Sequence, residues 1–295
     1  MIRIKMWVSR LNSLPTSHAM PAEWKYEIVS GFFVQDAPTG PSSSIGPTPE
    51  FFGLVSESWS QFVAEIDKLG FNSSESTSYK VLFLGRHGEG NHNVAEIKYG
   101  QKAWDEKWAL LEGDGELTWG PDPHLTVIGE EQARNAHDAW KREVVRGAPV
   151  PQRFYCSPLT RAIRTFELTF KDVLPVHLQP IIVENCREEY GEHTCDSRRT
   201  RSEIQCDFPD FTFEEGFEEQ DVLWSPERET KASVERRARL VLDRIFETDR
   251  DDTYISITTH SGWINAVLRV IGRGNYALPT GGLIVVVVKG SFLNG

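Results

Sequence analysis

The sequence predicts an α/β fold in which helices cover both faces of a mostly parallel central sheet, a three-layer α/β/α sandwich. From residue 80 onward, short apolar runs alternate with longer segments of helical periodicity. Basic residues directly follow three of the predicted strands, at the position where open α/β sheets carry their ligands. The chain has 295 residues and 39% hydrophobic content, which is enough to bury the core of such a sandwich.

The individual elements follow from local patterns. Apolar runs predict strands at residues 80–84, 152–156, 181–183, 253–259 and 283–288. Apolar side chains at helical spacing predict helices at residues 129–145, 158–171, 231–247 and 262–271. The strict alternation of the two kinds of element, without an internal repeat, favours helices on both faces of one sheet.

The domain organisation is predicted to be an extension followed by one main domain. Residues 1–79 form the N-terminal extension, and its aromatic side chains, such as Trp24, Phe52 and Trp59, are expected to pack it on the core. Residues 80–295 form the main domain, with long insertions at about 98–123 and 187–228. The aromatic content of these two insertions favours packed lids over disordered segments.

Composition excludes several classes of function. The net charge of -11 argues against a general nucleic-acid binder, which needs a basic surface. It does not exclude a small phosphorylated substrate, because a local group of arginines can outweigh a diffuse negative field. Since no apolar run reaches the roughly 20 residues of a membrane span, we expect no membrane association. The first 22 residues have a weakly transit-like composition, but we expect a cytoplasmic protein.

The most informative segment directly follows the predicted strand at residues 80–84. Gly85 and Gly88 allow a tight turn around Arg86 and His87, which lie side by side at the carboxyl end of the strand. An imidazole can attack phosphorus as a nucleophile, and a guanidinium can hold two phosphoryl oxygens through its planar fork. Alone, this motif is weak.

Two further strand ends present residues of the same kind. Ser157 and Pro158 predict a helix start with Ser157 as its N-cap, which places Arg161 in the first turns near the positive helix end. The alternative is that Ser157 is an ordinary helix cap and that Arg161 faces solvent without a function. His260 follows the strand at residues 253–259, and alone it would be a core histidine with satisfied hydrogen bonds. The coincidence of three such strand ends favours one phosphoryl site.

At this point the chain resembles a known family. The residues that carry the likeness are Arg86-His87-Gly88-Glu89, Asn93, the segment 122–129, Ser157-Pro158 with Arg161, and Thr259-His260 with Gly262. In this order they resemble the histidine phosphatase superfamily, with its phosphoglycerate mutase-like fold, over residues 80 to about 290. Segment 192–196 and the aromatic extension are further similar to a fungal and plant phosphomutase-like branch of that superfamily.

The resemblance implies a mechanism through a phosphohistidine. His87 would attack phosphorus, while Arg86, Arg161 and His260 would hold the three non-bridging oxygens. It also implies contacts with the substrate from Asn93, Glu89 and Ser261. No carboxylate cluster has metal-ligand spacing, and arginines can supply the charge, so neither a metal nor a cofactor is predicted.

The general acid is the least certain assignment, because the chain departs from the common family pattern. Many relatives place this acid four residues before a glycine, where the chain has Arg187 ahead of Gly191. We therefore predict Glu188 as the acid, with Glu189 as the first alternative and Glu184 as the second. Both Glu188 and Glu189 could instead be solvated charges of the second insertion.

Three hypotheses about function follow. The leading one is a metal-independent phosphatase that hydrolyses a small phosphorylated metabolite through His87. The alternatives are a phosphomutase of the phosphoglycerate mutase type and a non-catalytic protein that binds a phosphorylated ligand. Arg198, Arg199 and Arg201 could contact a second anionic group of the substrate, although pairing with acids of their own insertion is favoured. The sequence identifies neither the physiological substrate nor the oligomeric state.

Overall fold

A seven-stranded sheet forms the centre of the computed structural model, which describes residues 23–36, 44–173 and 175–293. The strands are β1 (Glu23–Ile28), β2 (Thr77–Arg86), β3 (Arg153–Cys156), β4 (Ile181–Ile182), β5 (Thr212–Phe213), β6 (Tyr254–Thr259) and β7 (Leu283–Leu293). Their order in the sheet is β1-β7-β2-β6-β3-β4-β5. β2, β6, β3, β4 and β5 pair in parallel, and β7 pairs antiparallel with both β1 and β2. The predicted targeting composition of residues 1–22 lies outside the described residues.

Helices cover both faces of this sheet. They are α1 (Trp59–Phe71), α2 (Asn91–Tyr99), α3 (Gln101–Glu106), α4 (Val127–Val145), α5 (Thr160–Phe170), α6 (Arg201–Asp207), α7 (Lys231–Thr248) and α8 (Ser261–Val270). Successive side chains of a strand point to opposite faces. Accordingly Val81 and Phe83 of β2 pack with α1, α4 and α5, whereas Leu82 and Leu84 pack with α7 and α8. The predicted three-layer α/β/α sandwich with a mostly parallel sheet is confirmed.

Several elements were missed in the sequence. β1 pairs with the carboxyl-terminal strand β7, from Glu23 opposite Leu293 to Ile28 opposite Val288. No local pattern reveals such a long-range pairing. α2, α3 and α6 are short and have weak apolar periodicity, and two residues are too few for a sequence pattern to predict β5. β2 and β7 are also longer than their apolar runs, because partly exposed residues continue the ladders.

Several aromatic side chains of the N-terminal region lie in the core. Phe52, Trp59 and Phe62 are buried in one cluster with Phe83 and Trp140. The rings of Phe52 and Trp140 lie 4.8 Å apart in an edge-to-face arrangement that stabilises aromatic pairs. This cluster fixes α1 against the sheet face that also carries α4 and α5.

The two insertions contact each other beside the sheet. Trp104 and Trp119 of the first insertion pack with Cys195 of the second in a separate apolar cluster. The hydroxyl of Thr194 donates a hydrogen bond to the carbonyl oxygen of Leu111 at 2.6 Å. Both segments are therefore packed parts of the domain. Among the described helices, none combines the length and apolar character needed to cross a lipid bilayer.

Candidate active site

Three adjacent strand ends bring the predicted site residues together. β6 lies between β2 and β3 and is parallel to both, so the carboxyl ends of all three strands share one edge of the sheet. The backbone amide of His87 donates to the carbonyl of Thr259, and that of Ser157 donates to the carbonyl of Thr258, both at 3.0 Å. As a result, the rings of His87 and His260 lie only 4.9 Å apart.

The hydrogen bonding of His87 shows which of its ring nitrogens keeps a free lone pair. Nδ1 lies 2.6 Å from the carbonyl oxygen of Gly88. A carbonyl oxygen can only accept, so Nδ1 carries the proton and Nε2 keeps a free lone pair. Burial, followed by the positive charges of Arg161 and Arg86, lowers the pKa of His87 well below its usual value. The ring is therefore neutral near pH 7, as attack on phosphorus requires.

Gly88 is needed for the close approach of the turn to α4. Its amide donates to the hydroxyl of Thr165 at 2.9 Å, which fixes the turn against α5. A Cβ atom on Gly88 would lie 2.2 Å from the carbonyl oxygen of Gly129. Since the obstructing atom belongs to the backbone, a larger residue at position 88 would displace the turn that carries His87.

Two arginines and the second histidine leave hydrogen-bond donors unused beside His87. Arg86 donates from Nη1 to the carbonyl of Leu278 at 2.7 Å, but its buried Nε has no hydrogen-bond partner among the described residues. Arg161 is 1% exposed, and its Nε likewise has no partner in the described part of the chain. His260 pairs through Nε2 with the Ser157 hydroxyl at 2.7 Å, which leaves its Nδ1 without a described partner.

The local structure around Arg161 corrects one prediction. α5 begins at Thr160 with Leu159 in the N-cap position, so the prediction of Ser157 as the helix N-cap is wrong. The Ser157 hydroxyl instead pairs with His260. Asp122, at the end of the first insertion, accepts hydrogen bonds from the amide of Thr160 at 2.8 Å and from its hydroxyl at 2.5 Å. A carboxylate from a distant segment thus takes the place of a local cap.

Of the three candidate acids, Glu188 is held against the start of α8. Its Oε2 accepts a hydrogen bond from the amide of Gly262 at 3.0 Å, and its Oε1 accepts one from the amide of Glu189 at 3.1 Å. A Cβ atom on Gly262 would lie 2.1 Å from Glu188 Oε1, so only glycine fits there while the carboxylate keeps this place.

The other two candidates are engaged by basic residues. Glu189 forms ion pairs with Lys231 and, at 3.7 Å, with Arg228. Glu184 forms ion pairs with Arg187 at 2.9 Å and Arg198 at 2.8 Å. Glu188 and Glu189 line the same cavity as His87, whereas Glu184 is not among the described residues that line it.

That cavity has a volume of about 280 Å³ and opens beside His87. Asn93 and Ser261, both predicted to contact substrate, line it. Asn93 also accepts a hydrogen bond from the amide of Gly90 at 3.0 Å and so caps α2. Glu89 is not among the described lining residues, because its carboxylate accepts a hydrogen bond from the Thr126 hydroxyl at 2.7 Å, at the start of α4.

Sequence reasoning missed several residues of the cavity wall. Glu96, Trp104, Asp196 and Arg228 all line it. Glu96 lies one helical turn after Asn93 on α2, a spacing that could have revealed it once the helix was known. Burial raises the pKa of Glu96. Asp196 and Arg228 belong to loops of the second insertion, where no periodicity indicates which residues turn inward.

Arg198 and Arg199 pair with acids that lie mostly outside their own insertion, whereas the Arg201 guanidinium lies over the ring of Phe213 at 5.1 Å. Arg198 pairs with Glu184 and donates to backbone carbonyls of residues 218–220. Arg199 pairs with Asp122 at 3.3 Å and with Asp207. These side chains stabilise the second insertion and are not among the described residues that line the cavity.

One group of donor atoms has the spacing of a metal site. Side-chain atoms of His193, Cys195 and Asp196 lie within 4.8 Å of one another. Both carboxylate oxygens of Asp196, however, already accept hydrogen bonds from Arg161 and Arg228, each at 2.8 Å. Burial raises the pKa of the Cys195 thiol well above its usual value, which disfavours the thiolate a metal would need. This arrangement suits two guanidinium groups better than a metal ion.

Comparisons with known proteins agree with this geometry. Residues 82–279 match the profile of the histidine phosphatase superfamily, branch 1. A protein of Arthroderma benhamiae named "Probable phosphoglycerate mutase" is 38% identical over 283 residues, covering 90% of this chain and 84% of that protein. "Phosphomutase-like protein 3" of Candida albicans is 35% identical over 280 residues, covering 94% and 83%. "Phosphoglycerate mutase-like protein" of Arabidopsis thaliana is 28% identical over 223 residues, covering 66% and 75%. The chain belongs to the histidine phosphatase superfamily.

Proposed function

We propose that this protein is a metal-independent phosphatase that hydrolyses a small phosphorylated metabolite through a phosphohistidine on His87. The observation that carries the proposal is the set of buried, unpaired nitrogens around a neutral nucleophile. Arg86 Nε, Arg161 Nε and His260 Nδ1 have no described partner, and each belongs to a residue at the same sheet edge as His87. A phosphoryl group has three non-bridging oxygens that can accept from the two guanidinium N–H groups and from His260 Nδ1, which carries the proton when Nε2 accepts from the Ser157 hydroxyl.

The chemistry divides into two half-reactions. His87 Nε2 attacks phosphorus in line, the bond to the leaving oxygen breaks, and its electron pair remains on that oxygen. The carboxyl group of Glu188 gives its proton to this oxygen, so the product leaves as an alcohol. The resulting carboxylate then takes a proton from water, whose oxygen attacks phosphorus. The P–N bond breaks, phosphate leaves, and the lone pair returns to Nε2.

Charge for the transition state comes from the protein itself. The guanidinium groups of Arg86 and Arg161 face the phosphoryl oxygens from two sides, and both stay cationic at any physiological pH. Their effect is strong because Arg161 is buried and Arg86 is half-buried, and charges interact more strongly there than in water. We therefore propose that hydrolysis continues in the presence of a chelator.

His87→Ala tests the proposal. The variant is expected to release no phosphate from p-nitrophenyl phosphate, while EDTA leaves the wild-type rate unchanged. Exposed His177 gives the matched control, and His177→Gln should behave as wild type. Mass spectrometry of rapidly quenched wild type should find a phosphoryl group on His87. Full activity of His87→Ala would refute the proposal.

The names of the relatives favour a second candidate, a phosphomutase, and the same central residues would serve it. A mutase returns the phosphoryl group to another hydroxyl of the substrate instead of to water. Incubation with 3-phosphoglycerate separates the two, because a phosphatase releases phosphate steadily and a mutase produces 2-phosphoglycerate. Tight binding of phosphate without any phosphohistidine would instead indicate the third candidate, a non-catalytic binding protein.

A further inference from the structure

We propose that Asp196, in the second insertion, is a positioning residue that orients Arg161 toward the phosphoryl group and uses Arg228 as its second partner. The inference rests on the proposed function, because it assumes that Arg161 binds the transferred group. It adds a residue outside the three strand-end motifs, and it gives the insertion a part in the reaction.

The hydrogen bonds of Arg161 show which edge of its guanidinium is free. Nη1 donates to the carbonyl oxygen of Cys195 and Nη2 donates to Oδ1 of Asp196, both at 2.8 Å. These two bonds occupy the end of the planar fork. The side edge, formed by Nε and the second hydrogen of Nη2, remains, and Nε has no partner among the described residues. A rigid plane held at its end thus presents two parallel N–H groups to an oxyanion.

Asp196 is itself placed between two cations. It is 3% exposed, and its Oδ2 accepts a hydrogen bond from Nη1 of Arg228 at 2.8 Å. A buried carboxylate is costly unless it is paired, and here each oxygen has a guanidinium partner. Arg228 also donates to the carbonyl of Gly191 at 2.9 Å, which keeps it on the cavity wall. Asp196 therefore has one stable orientation.

Further contacts fix the backbone at Asp196. Nη2 of Arg187 donates to the carbonyl oxygen of Asp196 at 2.6 Å. Arg187 is fully buried and forms a two-bond ion pair with Asp221, with both distances 2.7 Å. The second insertion is consequently fixed at this point, and it holds Arg161 through the Asp196 carboxylate and the neighbouring Cys195 carbonyl.

A group that only orients another should act mainly on the transition state. In Asp196→Asn the end of the Arg161 fork keeps its bond to the Cys195 carbonyl but exchanges a charged acceptor for a neutral amide oxygen, so the two N–H groups of the side edge are held less firmly toward the phosphoryl oxygens. We expect Asp196→Asn to lower kcat by about 10²-fold with a much smaller change in KM, as for other losses of preorganised donors. Inhibition by vanadate should weaken by a similar factor.

A double-mutant cycle tests whether Asp196 acts through Arg161. The cycle compares kcat/KM of wild type, Asp196→Asn, Arg161→Lys and the double variant, all on p-nitrophenyl phosphate. Lysine keeps the charge but lacks the fork, so the double variant should be no more than a few-fold slower than Arg161→Lys alone. Independent, multiplicative losses in the double variant would overturn the inference.

Glu214→Gln is the matched control. Like Asp196, Glu214 is a carboxylate of the second insertion that pairs with an arginine outside it, here Arg244, but it is not among the described residues that line the cavity. It should lower the melting temperature, and any loss in kcat/KM should be independent of Arg161→Lys. Coupling to Arg161 as strong as that of Asp196 would show a general effect of insertion stability and would overturn the inference.

A second variant covers the case in which Asp196→Asn does not fold. Asp196→Glu keeps the charge and shifts the carboxylate by one methylene, so it should fold and still lose kcat with weaker vanadate binding. Wild-type kcat in Asp196→Glu would contradict positioning. Full activity of His87→Ala would refute the proposed function itself, whereas loss of activity there together with an uncoupled cycle would refute only the role of Asp196.

Discussion

Replacing Glu188 by glutamine is expected to separate the two half-reactions of the proposed hydrolysis. A glutamine side chain has the size of the glutamate and can keep one of its two hydrogen bonds from backbone amides, but its amide cannot exchange a proton with the leaving oxygen or with water. Loss of a positioned general acid typically costs about 10²–10⁴-fold in rate. At about 1.4 kcal/mol per factor of ten, this corresponds to roughly 3–5 kcal/mol of transition-state stabilisation.

The nature of the leaving group makes this prediction specific. p-Nitrophenolate can leave without a proton, so phosphorylation of His87 should remain fast in Glu188→Gln. Hydrolysis of the phosphohistidine still needs a base for water. Stopped-flow absorbance should therefore show a burst of about one nitrophenolate per active site followed by slow turnover, the behaviour of an accumulating covalent intermediate. With an alkyl phosphate, both steps should be slow and the burst should be absent.

Glu189→Gln is the matched comparison for this experiment. The Glu189 carboxylate is engaged by Lys231 and Arg228, so its replacement should have a smaller effect and produce no burst. The reverse result, a burst in Glu189→Gln and ordinary kinetics in Glu188→Gln, would refute the assignment of the acid. Equal and complete activity of both variants would show that the proton donor lies elsewhere, with Glu96 as the next carboxylate on the cavity wall.

Three further predictions follow from the contacts. Gly262→Ala should reproduce the burst of the Glu188 variant with little change in melting temperature, because its Cβ would lie 2.1 Å from the flexible end of Glu188. Arg187→Ala should lower the free energy of unfolding in urea by about 3–5 kcal/mol, because the largely buried Asp221 loses its ion-pair partner, although Glu184 keeps Arg198. Burial lowers the pKa of His87, His92 and His260 well below the usual value. Below about pH 6.5 the unfolded state binds protons that the folded state does not, so stability should fall there by at most about 4 kcal/mol per pH unit for the three histidines. Melting curves between pH 7.5 and 5.5 measure this loss. A melting temperature that does not change with pH would contradict the conclusion that the three histidines are buried in the neutral form.

The sequence predicted those site residues that lie at the ends of strands. Arg86, His87, Arg161 and His260 each follow or lie within one turn of a buried strand end, so a local pattern reports both the residue and its place at the sheet edge. The order of strands in the sheet, which brings these ends together, was expected only through the family resemblance.

The remaining part depends on contacts between segments without periodicity. Asp196 is 35 positions from Arg161 and 32 from Arg228, and all three lie in one hydrogen-bonded group. Asp122 replaces the expected cap of α5 from 38 positions away. Side-chain pairs of this kind are set by how the insertions fold over the sheet, and composition alone does not indicate which acid meets which base.

The acidic composition of the chain is consistent with an anion-binding centre for a physical reason. To bind a phosphoryl group strongly, arginines must be withdrawn from water, and a buried guanidinium is stable only with a partner. Arg161, Arg187 and Arg198 are at most 4% exposed, and each pairs with a carboxylate in or near the second insertion. These acids therefore permit the burial of Arg161 at the cavity and of Arg187 and Arg198 behind it. Because a paired acid and arginine cancel in net charge, the net charge of -11 comes from the acids in excess of the basic residues, and it does not fix the local charge beside His87.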